Sequence, residues 1–151
     1  RPATLLRVER GRAPAGRRVY SPETSYRMRQ LLRMIVTHGT GRRGDAPGFR
    51  VGGKTGTAEK VADGGGYSRR MNVSTFAAAF PMDDPRYVVL VMMDAPRGNA
   101  ETHYLTTAAW TAAPVVSRVI ARSGPLLGII PDETRDIDTS ELVPLVAAAG
   151  Q

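Results

Sequence analysis

A short stretch at residues 51–60 gathers side chains that could hold a carboxylate and act on a neighbouring hydroxyl. It contains Lys54, Thr55, Gly56 and Thr57 in succession. Because side chains alternate along a β-strand, we expect the two threonines on one face, about 7 Å apart, and Lys54 and Gly56 on the other. Two such hydroxyls could bind a carboxylate, while the glycine leaves room for a ligand along the backbone. The alternative is an ordinary edge strand with incidental threonines.

Lysine is rare in this chain, which makes its presence here informative. Lysine and arginine together number 21, and the only lysines are Lys54 and Lys60. On a solvated surface the two residue types are nearly interchangeable, but a compact ammonium that can lose its proton is available only from lysine. The bias indicates that Lys54 is retained for its chemistry.

Composition excludes several function classes. There is no cysteine, so neither a disulfide framework nor a thiolate metal site is available. The net charge of +7 comes from arginines spread along the chain, which favours a charged surface over a nucleic-acid platform with interleaved aromatic residues. No apolar run approaches the roughly 18 to 20 residues of a membrane span. His38 and His103 are too few and too separated for a metal site, and we expect no cofactor.

A helix is predicted after residue 21. Ser21 is a good N-cap and Pro22 suits the first helical position. Gly39 is expected to end the helix in a left-handed turn. Apolar residues at helical spacing predict one buried stripe, formed by Met28, Leu31, Leu32, Ile35 and Val36.

Three strands are predicted next, at 49–59, 72–80 and 87–93, with a glycine-containing loop at 61–70. The short links between them favour an antiparallel meander. The apolar run from Val88 to Val91 predicts a strand buried on both faces, or nearly so. The fold class is therefore α+β, an antiparallel three-stranded meander flanked by helices.

A second helix is predicted at about 104–122. Pro114 would kink it or mark a restart at Ala113. Val115, Val116, Val119 and Ile120 give this segment an apolar face.

The last part of the chain differs in composition. It holds several prolines and glycines and an acidic patch at 132–138, for which a solvated tail is favoured over a metal site. The predicted division is therefore 1–123 for the folded part and 124–151 for an extended tail.

Several of these segments resemble one family in the same order and spacing. Lys54-Thr55-Gly56 is similar to the third motif of the penicillin-recognising serine acyltransferases. The run from Phe80 to Val91 resembles the following strand pair of class B penicillin-binding proteins, the cell-division peptidoglycan D,D-transpeptidases. Ser21 to Thr24 with its helix, and Thr37 to Gly41, resemble the segment before the motif. The resemblance implies the C-terminal part of a transpeptidase domain with the penicillin-binding and serine β-lactamase-like fold.

The resemblance also implies a mechanism of two acyl transfers, in which a serine attacks a D-Ala-D-Ala bond and an amine resolves the acyl-enzyme. Lys54 would organise the active-site hydroxyls. Thr55, Gly56 and Thr57 would line the site for the donor carboxylate, or for that of a β-lactam. The Thr57 N–H would supply half of the oxyanion hole. Tyr104 would shape the pocket, although a packing role explains it equally well.

For the parent protein, the resemblance implies partners and a location. Peptidoglycan stem peptides and β-lactams are the expected ligands, divisome proteins are the expected partners, and no nucleic acid is expected. The location would be the periplasmic face of the bacterial inner membrane, reached through an N-terminal anchor that this chain lacks.

Two motifs of that family are absent from these 151 residues. Neither Ser-x-x-Lys nor Ser-x-Asn occurs. Thr57 and Lys60 have the spacing of the first motif, but residues i and i+3 of a strand face opposite ways. Both motifs lie upstream in the family, so we expect a C-terminal piece that is inactive alone. The missing N-terminal part of the domain would cover apolar sheet surface that is open here.

Two alternatives stay open. A serine β-lactamase shares the Lys-Thr-Gly strand but hydrolyses its acyl-enzyme, and the run from Phe80 to Met93 disfavours it. A non-catalytic module on the same fold could instead bind wall peptides or divisome partners.

Overall fold

The computed structural model describes residues 16–61 and 64–149, which form one antiparallel sheet and three α-helices. Two 3-10 turns lie at Arg42–Gly44 and Pro125–Leu127. The helices and strands, in chain order, are α1 (Pro22–Thr37), β1 (Gly52–Val61), β2 (Tyr67–Phe80), β3 (Tyr87–Asp94), α2 (Ala112–Ser123) and α3 (Val143–Ala149).

The start of α1 confirms the sequence prediction. The Ser21 hydroxyl accepts a hydrogen bond from the Thr24 N–H at 3.0 Å, and Pro22 occupies the first turn, where no N–H is needed. The predicted end is wrong in its geometry. Gly39 has no positive φ. The last carbonyls of α1, those of Met34 and Ile35, accept from the N–H groups of His38, Gly39 and Gly41 without a left-handed residue at position 39.

The predicted buried stripe of α1 is also wrong. Of those residues, only Val36 is fully buried, and Met28 is 52% exposed. The helix instead buries Gln30, Arg33 and Met34. Gln30 and Arg33 can be buried because both find polar partners on the tail, so this polar side of the helix faces the protein while much of the apolar stripe faces outward.

The three strands form the predicted meander, in the order β1-β2-β3. β1 is therefore an edge strand. Directly opposed residues share a face of an antiparallel sheet, and the register pairs Thr55 with Phe76, Thr57 with Ser74 and Lys54 with Ala77. The fold class, α+β with a three-stranded antiparallel meander flanked by helices, is confirmed.

β3 does not have two buried faces, so that prediction is wrong. Tyr87, Val89 and Val91 pack against the core, whereas Val88 and Leu90 on the opposite face are 77% and 65% exposed. A run of apolar residues is buried on both faces of a strand only if another layer of the protein covers each face. In the described residues, one face of β3 has none.

The core lies between the sheet and α2. Its largest fully buried side chains include Phe76 and Phe80 from β2 and Val116 and Ile120 from α2. The second helix begins at Ala112 rather than near residue 104, with Pro114 in its first turn. His103 and Tyr104 both have positive φ, a conformation that no right-handed helix contains.

The tail is not extended throughout. It contains a 3-10 turn and α3, and it buries Ile129 and Ile137. The acidic patch is also not simply solvated, since Asp136 pairs with Arg33 and the Asp138 carbonyl accepts from Gln30 on α1. The division of the chain after residue 123 stays a prediction.

Candidate functional site

The four residues that the sequence singled out occupy consecutive positions on the edge strand β1. Thr55 and Thr57 lie opposite Phe76 and Ser74, on the face that packs against α2, and Lys54 lies opposite Ala77 on the other face. The predicted alternation of side chains is therefore the one observed. An edge strand keeps one row of backbone N–H and C=O groups without a partner strand, so a peptide can approach β1 from this side.

Each threonine hydroxyl contacts one group from a distant part of the chain. The Thr57 hydroxyl oxygen accepts a hydrogen bond from the Ala108 N–H at 3.3 Å. The Thr55 hydroxyl lies 3.1 Å from the hydroxyl of Thr40, in the loop after α1. Both hydroxyls keep hydrogen-bonding capacity for a ligand, because a hydroxyl offers one donor and two acceptor sites.

Lys54 is exposed, and its ammonium donates to the carbonyl of Thr55 at 2.7 Å. Its side chain borders an almost wholly apolar cavity of about 550 Å³. The cavity is lined by the outward stripe of α1, mainly Met28, Leu31, Leu32 and Ile35. Lys54 thus lies between β1, which we call the site strand, and an open apolar surface.

Gly56 is crowded by the neighbouring strand. A Cβ placed there would lie 2.6 Å from the Thr75 hydroxyl oxygen, which donates to the Gly56 carbonyl at 3.3 Å. Close packing therefore gives a second reason for glycine, beside the ligand approach expected from the sequence.

In the described residues, no hydrogen bond joins Tyr104 to the predicted site residues of β1. It is 77% exposed, with φ of +60° next to His103 at +50°. Its N–H donates to the Asn99 carbonyl at 2.8 Å, and a side chain at Gly98 would collide with its backbone. Two adjacent strained residues of this kind concentrate at functional loops.

Lys60 has a different environment from Lys54. Its ammonium pairs with the Asp94 carboxylate at 2.8 Å, at the end of β3. A register shift separates it from Glu59. The side chains of Thr57 and Lys60, which have the spacing of the first family motif, therefore have different partners: Ala108 for Thr57 and Asp94 for Lys60.

Sequence reasoning missed three residues that complete the surroundings of the threonines: Thr40, Ser74 and Ala108. Ala108 contributes a backbone N–H, for which no residue type could give a signal. Ser74 was a strand residue without a motif, and Thr40 lay inside the resembling segment 37–41 without a role.

A second polar region lies at the start of β1 and contacts the backbone there. It consists of Arg33, Arg50, Asp45, Asp83 and Asp136, which we call the arginine cluster. Arg33 pairs with Asp45 and Asp136 at 2.9 and 2.7 Å, and it also donates to the Val51 carbonyl just before β1. Arg50, whose side chain is 6% exposed, pairs with Asp83.

The electrostatics of the cluster favour its charged forms. Burial acts to lower the pKa of Arg33, but the hydrogen bonds and charges of Asp136 and Asp45 outweigh burial and raise this pKa above its ordinary value. Burial likewise acts to raise the pKa of the Asp83 carboxyl, but Arg50 and Arg135 outweigh it and lower the pKa. Together with Arg135, which pairs with Asp83, the two arginines of the cluster balance its three aspartates.

Two negative observations apply to residues 16–61 and 64–149. No group of three or more His, Cys, Asp or Glu side chains is arranged to hold a metal ion. No helix in these ranges is long and apolar enough to cross a membrane.

The profile of the penicillin binding protein transpeptidase domain matches residues 7–117, which include the whole site strand and Ala108. The chain belongs to this transpeptidase family. The resemblance drawn from Lys54-Thr55-Gly56 and from Phe80 to Val91 is thereby confirmed.

Two relatives match this transpeptidase chain over most of its length. It is 44% identical over 137 residues to a probable peptidoglycan D,D-transpeptidase FtsI of Caulobacter vibrioides, covering 85% of this chain and 23% of the relative. It is 39% identical over 130 residues to the stage V sporulation protein D of Bacillus subtilis, covering 86% and 19%. The chain thus spans about a fifth of the length of these relatives.

Solved structures give the same fold. The transpeptidase domain of Burkholderia pseudomallei penicillin-binding protein 3 matches with a TM-score of 0.70 and 33% identity, over 83% of this chain and 37% of that one. A mycobacterial penicillin-binding protein 3 complexed with ampicillin matches with a TM-score of 0.61 and 30% identity, over 76% and 27%. The expected penicillin-binding fold is therefore confirmed.

Proposed function

We propose that this chain forms the Lys-Thr-Gly side of the active site in a peptidoglycan D,D-transpeptidase that works through a serine acyl-enzyme. The observation that carries the proposal is the placement of Lys54, Thr55 and Thr57 together on the edge strand β1, inside the segment that the family profile matches. The serine comes from a part of the full-length protein outside these residues, since no Ser-x-x-Lys occurs here. The chain alone is therefore inactive.

In the first transfer, the serine oxygen loses its proton and attacks the carbonyl of the penultimate D-Ala of a donor stem peptide. The C–N bond breaks, and the terminal D-Ala leaves as an amine after gaining a proton. In the second transfer, an amine of an acceptor stem peptide attacks the acyl-enzyme. The new amide is the cross-link, and the serine recovers its proton.

The threonine face recognises the donor carboxylate. Thr55 and Thr57 stand about 7 Å apart along the strand, and each hydroxyl can donate a charge-assisted hydrogen bond to one carboxylate. The same pair binds the carboxylate of a β-lactam. The ampicillin complex of the mycobacterial penicillin-binding protein 3 supports β-lactam binding but does not by itself identify the residues that contact the ligand. Gly56 lets the ligand lie close to the strand.

Lys54 supplies positive charge beside the reacting hydroxyls. Within the described part of the chain, its ammonium has a carbonyl partner and no carboxylate partner. Its charge is therefore available to an anionic ligand and to the serine motifs of the complete site.

The Thr57 N–H forms half of the oxyanion hole. In an antiparallel strand, the N–H and C=O of a residue point to one side, and residues i and i+2 share that side. The Thr55 carbonyl is the one that the Lys54 ammonium reaches. The Thr57 N–H points to this same side, where it can stabilise the tetrahedral oxyanion.

Tyr104 borders the pocket. Its exposed ring and strained backbone support this role, as does its position four residues before Ala108, which contacts Thr57.

The partner of this chain is the remainder of its own domain. The outward stripe of α1 and the open face of β3 expose Met28, Leu31, Val88, Leu90 and Met92. Exposed apolar surface of this kind marks an interaction site. The remainder of the domain covers it and brings the serine to Lys54.

The full-length protein acts in cell division at the periplasmic face of the inner membrane, beside divisome proteins. The similarity to a probable peptidoglycan D,D-transpeptidase FtsI supports the part of this proposal that concerns peptidoglycan synthesis.

Thr57→Val in the full-length protein tests the proposal, because it removes the hydroxyl but keeps the branched shape and the N–H. Losing a charge-assisted hydrogen bond costs about 1.5 to 3 kcal/mol, roughly ten- to 150-fold in acylation efficiency. Acylation rates are measured with a penicillin and with its methyl ester, which lacks the charge. Only the penicillin should slow by this factor.

Thr134→Val is the matched control, since it makes the same replacement in the tail, where the hydroxyl binds Asp132. It should leave both rates unchanged. Equal slowing of both compounds by Thr57→Val would show that the Thr57 hydroxyl does not bind the carboxylate.

A further inference from the structure

The hydrogen bond from Ala108 to Thr57 determines what the Thr57 hydroxyl can do. A threonine hydroxyl has one proton to donate and two sites that accept. The Ala108 N–H can only donate, and it fills one acceptor site of the Thr57 oxygen. The hydroxyl proton is thereby left for a group in the site. Such a hydroxyl favours an acceptor ligand, above all a carboxylate.

Ala108 is held by the fold on two sides. Its side chain is fully buried in the core, and its carbonyl accepts from the Ala113 N–H at 2.9 Å, at the start of α2. The segment before it, which carries Thr106, needs a third anchor, because the backbone up to Tyr104 is strained and exposed.

Ser74 is that anchor. It is fully buried on β2, directly opposite Thr57 in the register. Its hydroxyl has one proton, for which the Thr106 carbonyl at 2.6 Å is the nearer acceptor and the Asn72 Oδ1 at 3.1 Å the farther. The Asn72 side-chain amide donates to the Thr106 hydroxyl at 2.9 Å and so holds the same segment. A buried hydroxyl aimed at one loop carbonyl fixes the position of that loop.

We propose that Ser74 is a positioning residue for ligand recognition: by holding Thr106 it places the Ala108 N–H against Thr57, so that Thr57 offers its proton to a carboxylate. The inference rests on the proposed role of Thr57 in binding the donor carboxylate. Ser74 itself touches no ligand. Its effect is therefore on the preference for charged over neutral ligands.

The test uses Ser74→Ala in the full-length protein, with acylation rates for a penicillin and its methyl ester. Losing one neutral hydrogen bond in the support should slow the penicillin about two- to tenfold and leave the ester nearly unchanged. In a Thr57→Val background, Ser74→Ala should have no further effect on either compound, because the hydroxyl that it positions is gone.

Ser123→Ala is the matched control. Its hydroxyl also donates to a backbone carbonyl, that of Val119, but at the end of α2. It should change neither rate. If Ser74→Ala does not fold, Asn72→Ala removes the side-chain amide that donates to the Thr106 hydroxyl and is measured in the same way, with the same pattern expected.

The outcomes separate the two proposals. If Thr57→Val discriminates between the compounds but Ser74→Ala slows both equally, or adds its full effect to Thr57→Val, the positioning role is wrong and the proposed function stands. If Thr57→Val itself fails to discriminate, the role of Thr57 is wrong and the positioning role falls with it.

Discussion

The arginine cluster and the site strand meet at the start of β1, where Arg33 donates to the Val51 carbonyl, but their charged side chains have opposite environments. In the cluster, Arg33 and Arg50 are buried and paired with aspartates at 2.6 to 2.9 Å. On the site strand, Lys54 is exposed and its ammonium meets a carbonyl, without a carboxylate partner in the described residues. One region is complete within the chain, and the other is open.

This difference indicates that the arginine cluster contributes mainly to stability and the site strand mainly to function. Charges satisfied inside the fold hold elements together, and here Arg33 ties α1 to the tail and to the residue before β1. Exposed polar groups without a protein partner are solvated by water, which a ligand can displace, so they remain available for binding. Substitutions in the cluster should therefore change folding, and substitutions on the strand should change acylation.

The largest expected effect is that of Lys54→Ala in the full-length protein. Removing a preorganised charge from an acyl-transfer site costs about 10²- to 10³-fold in rate. The rate of acylation by a fluorescent penicillin measures it, and thermal stability should stay nearly constant because Lys54 is exposed.

Lys60→Ala is the control on the same strand, since Lys60 pairs with Asp94. It should change the acylation rate less than threefold, as expected for a partly exposed ion pair outside the site. Equal loss in both variants would mean that general charge, rather than the position of Lys54, drives acylation.

Next in size is Arg33→Met, which should destabilise the transpeptidase domain by about 3 kcal/mol, because it breaks a buried, multiply bonded ion pair. Urea unfolding followed by circular dichroism measures it. The acylation rate of the folded variant should stay within threefold of the original, which distinguishes the cluster from the site strand.

Arg27→Met provides the comparison for Arg33. Arg27 pairs with Glu141, but their side chains are 48% and 69% exposed, and such pairs contribute less than about 1 kcal/mol. Similar destabilisation by both substitutions would contradict the distinction between buried and surface pairs.

The smallest expected effect is the pH dependence of Asp83→Asn. The pKa of Asp83 is lowered in the folded state, so its contribution is complete above the ordinary aspartate pKa of about 3.9. It is lost as the pH falls through the lowered folded value. Asp83→Asn should therefore destabilise by about 2 kcal/mol at pH 7, and the difference should shrink below about pH 4.

Thermal unfolding between pH 3 and pH 7 measures this difference. Asp84→Asn, at the exposed neighbouring aspartate, should give no such trend. A constant gap between Asp83→Asn and the original protein at all pH values would contradict the ion-pair account.

Local sequence patterns were enough to predict much of the fold. Ser21-Pro22 gave the start of α1, and the strand segments with their short links gave the meander, since capping, turn chemistry and alternation act within a few residues. The same patterns failed where burial had to be assigned. Met28 on α1 and Val88 on β3 are apolar and were predicted to be buried, but periodicity identifies an apolar face without saying which layer covers it.

The sequence by itself determined how the side chains of β1 divide between its faces: strand alternation places Thr55 and Thr57 on one face and Lys54 on the other. Only the tertiary structure decided which distant groups those side chains contact. The N–H of Ala108, 51 residues after Thr57, donates to the Thr57 hydroxyl, and Asp136, 103 residues after Arg33, pairs with Arg33, which contacts the residue before β1. Alternation follows from the geometry of each peptide unit, whereas such distant pairs exist only once packing has closed long loops between them.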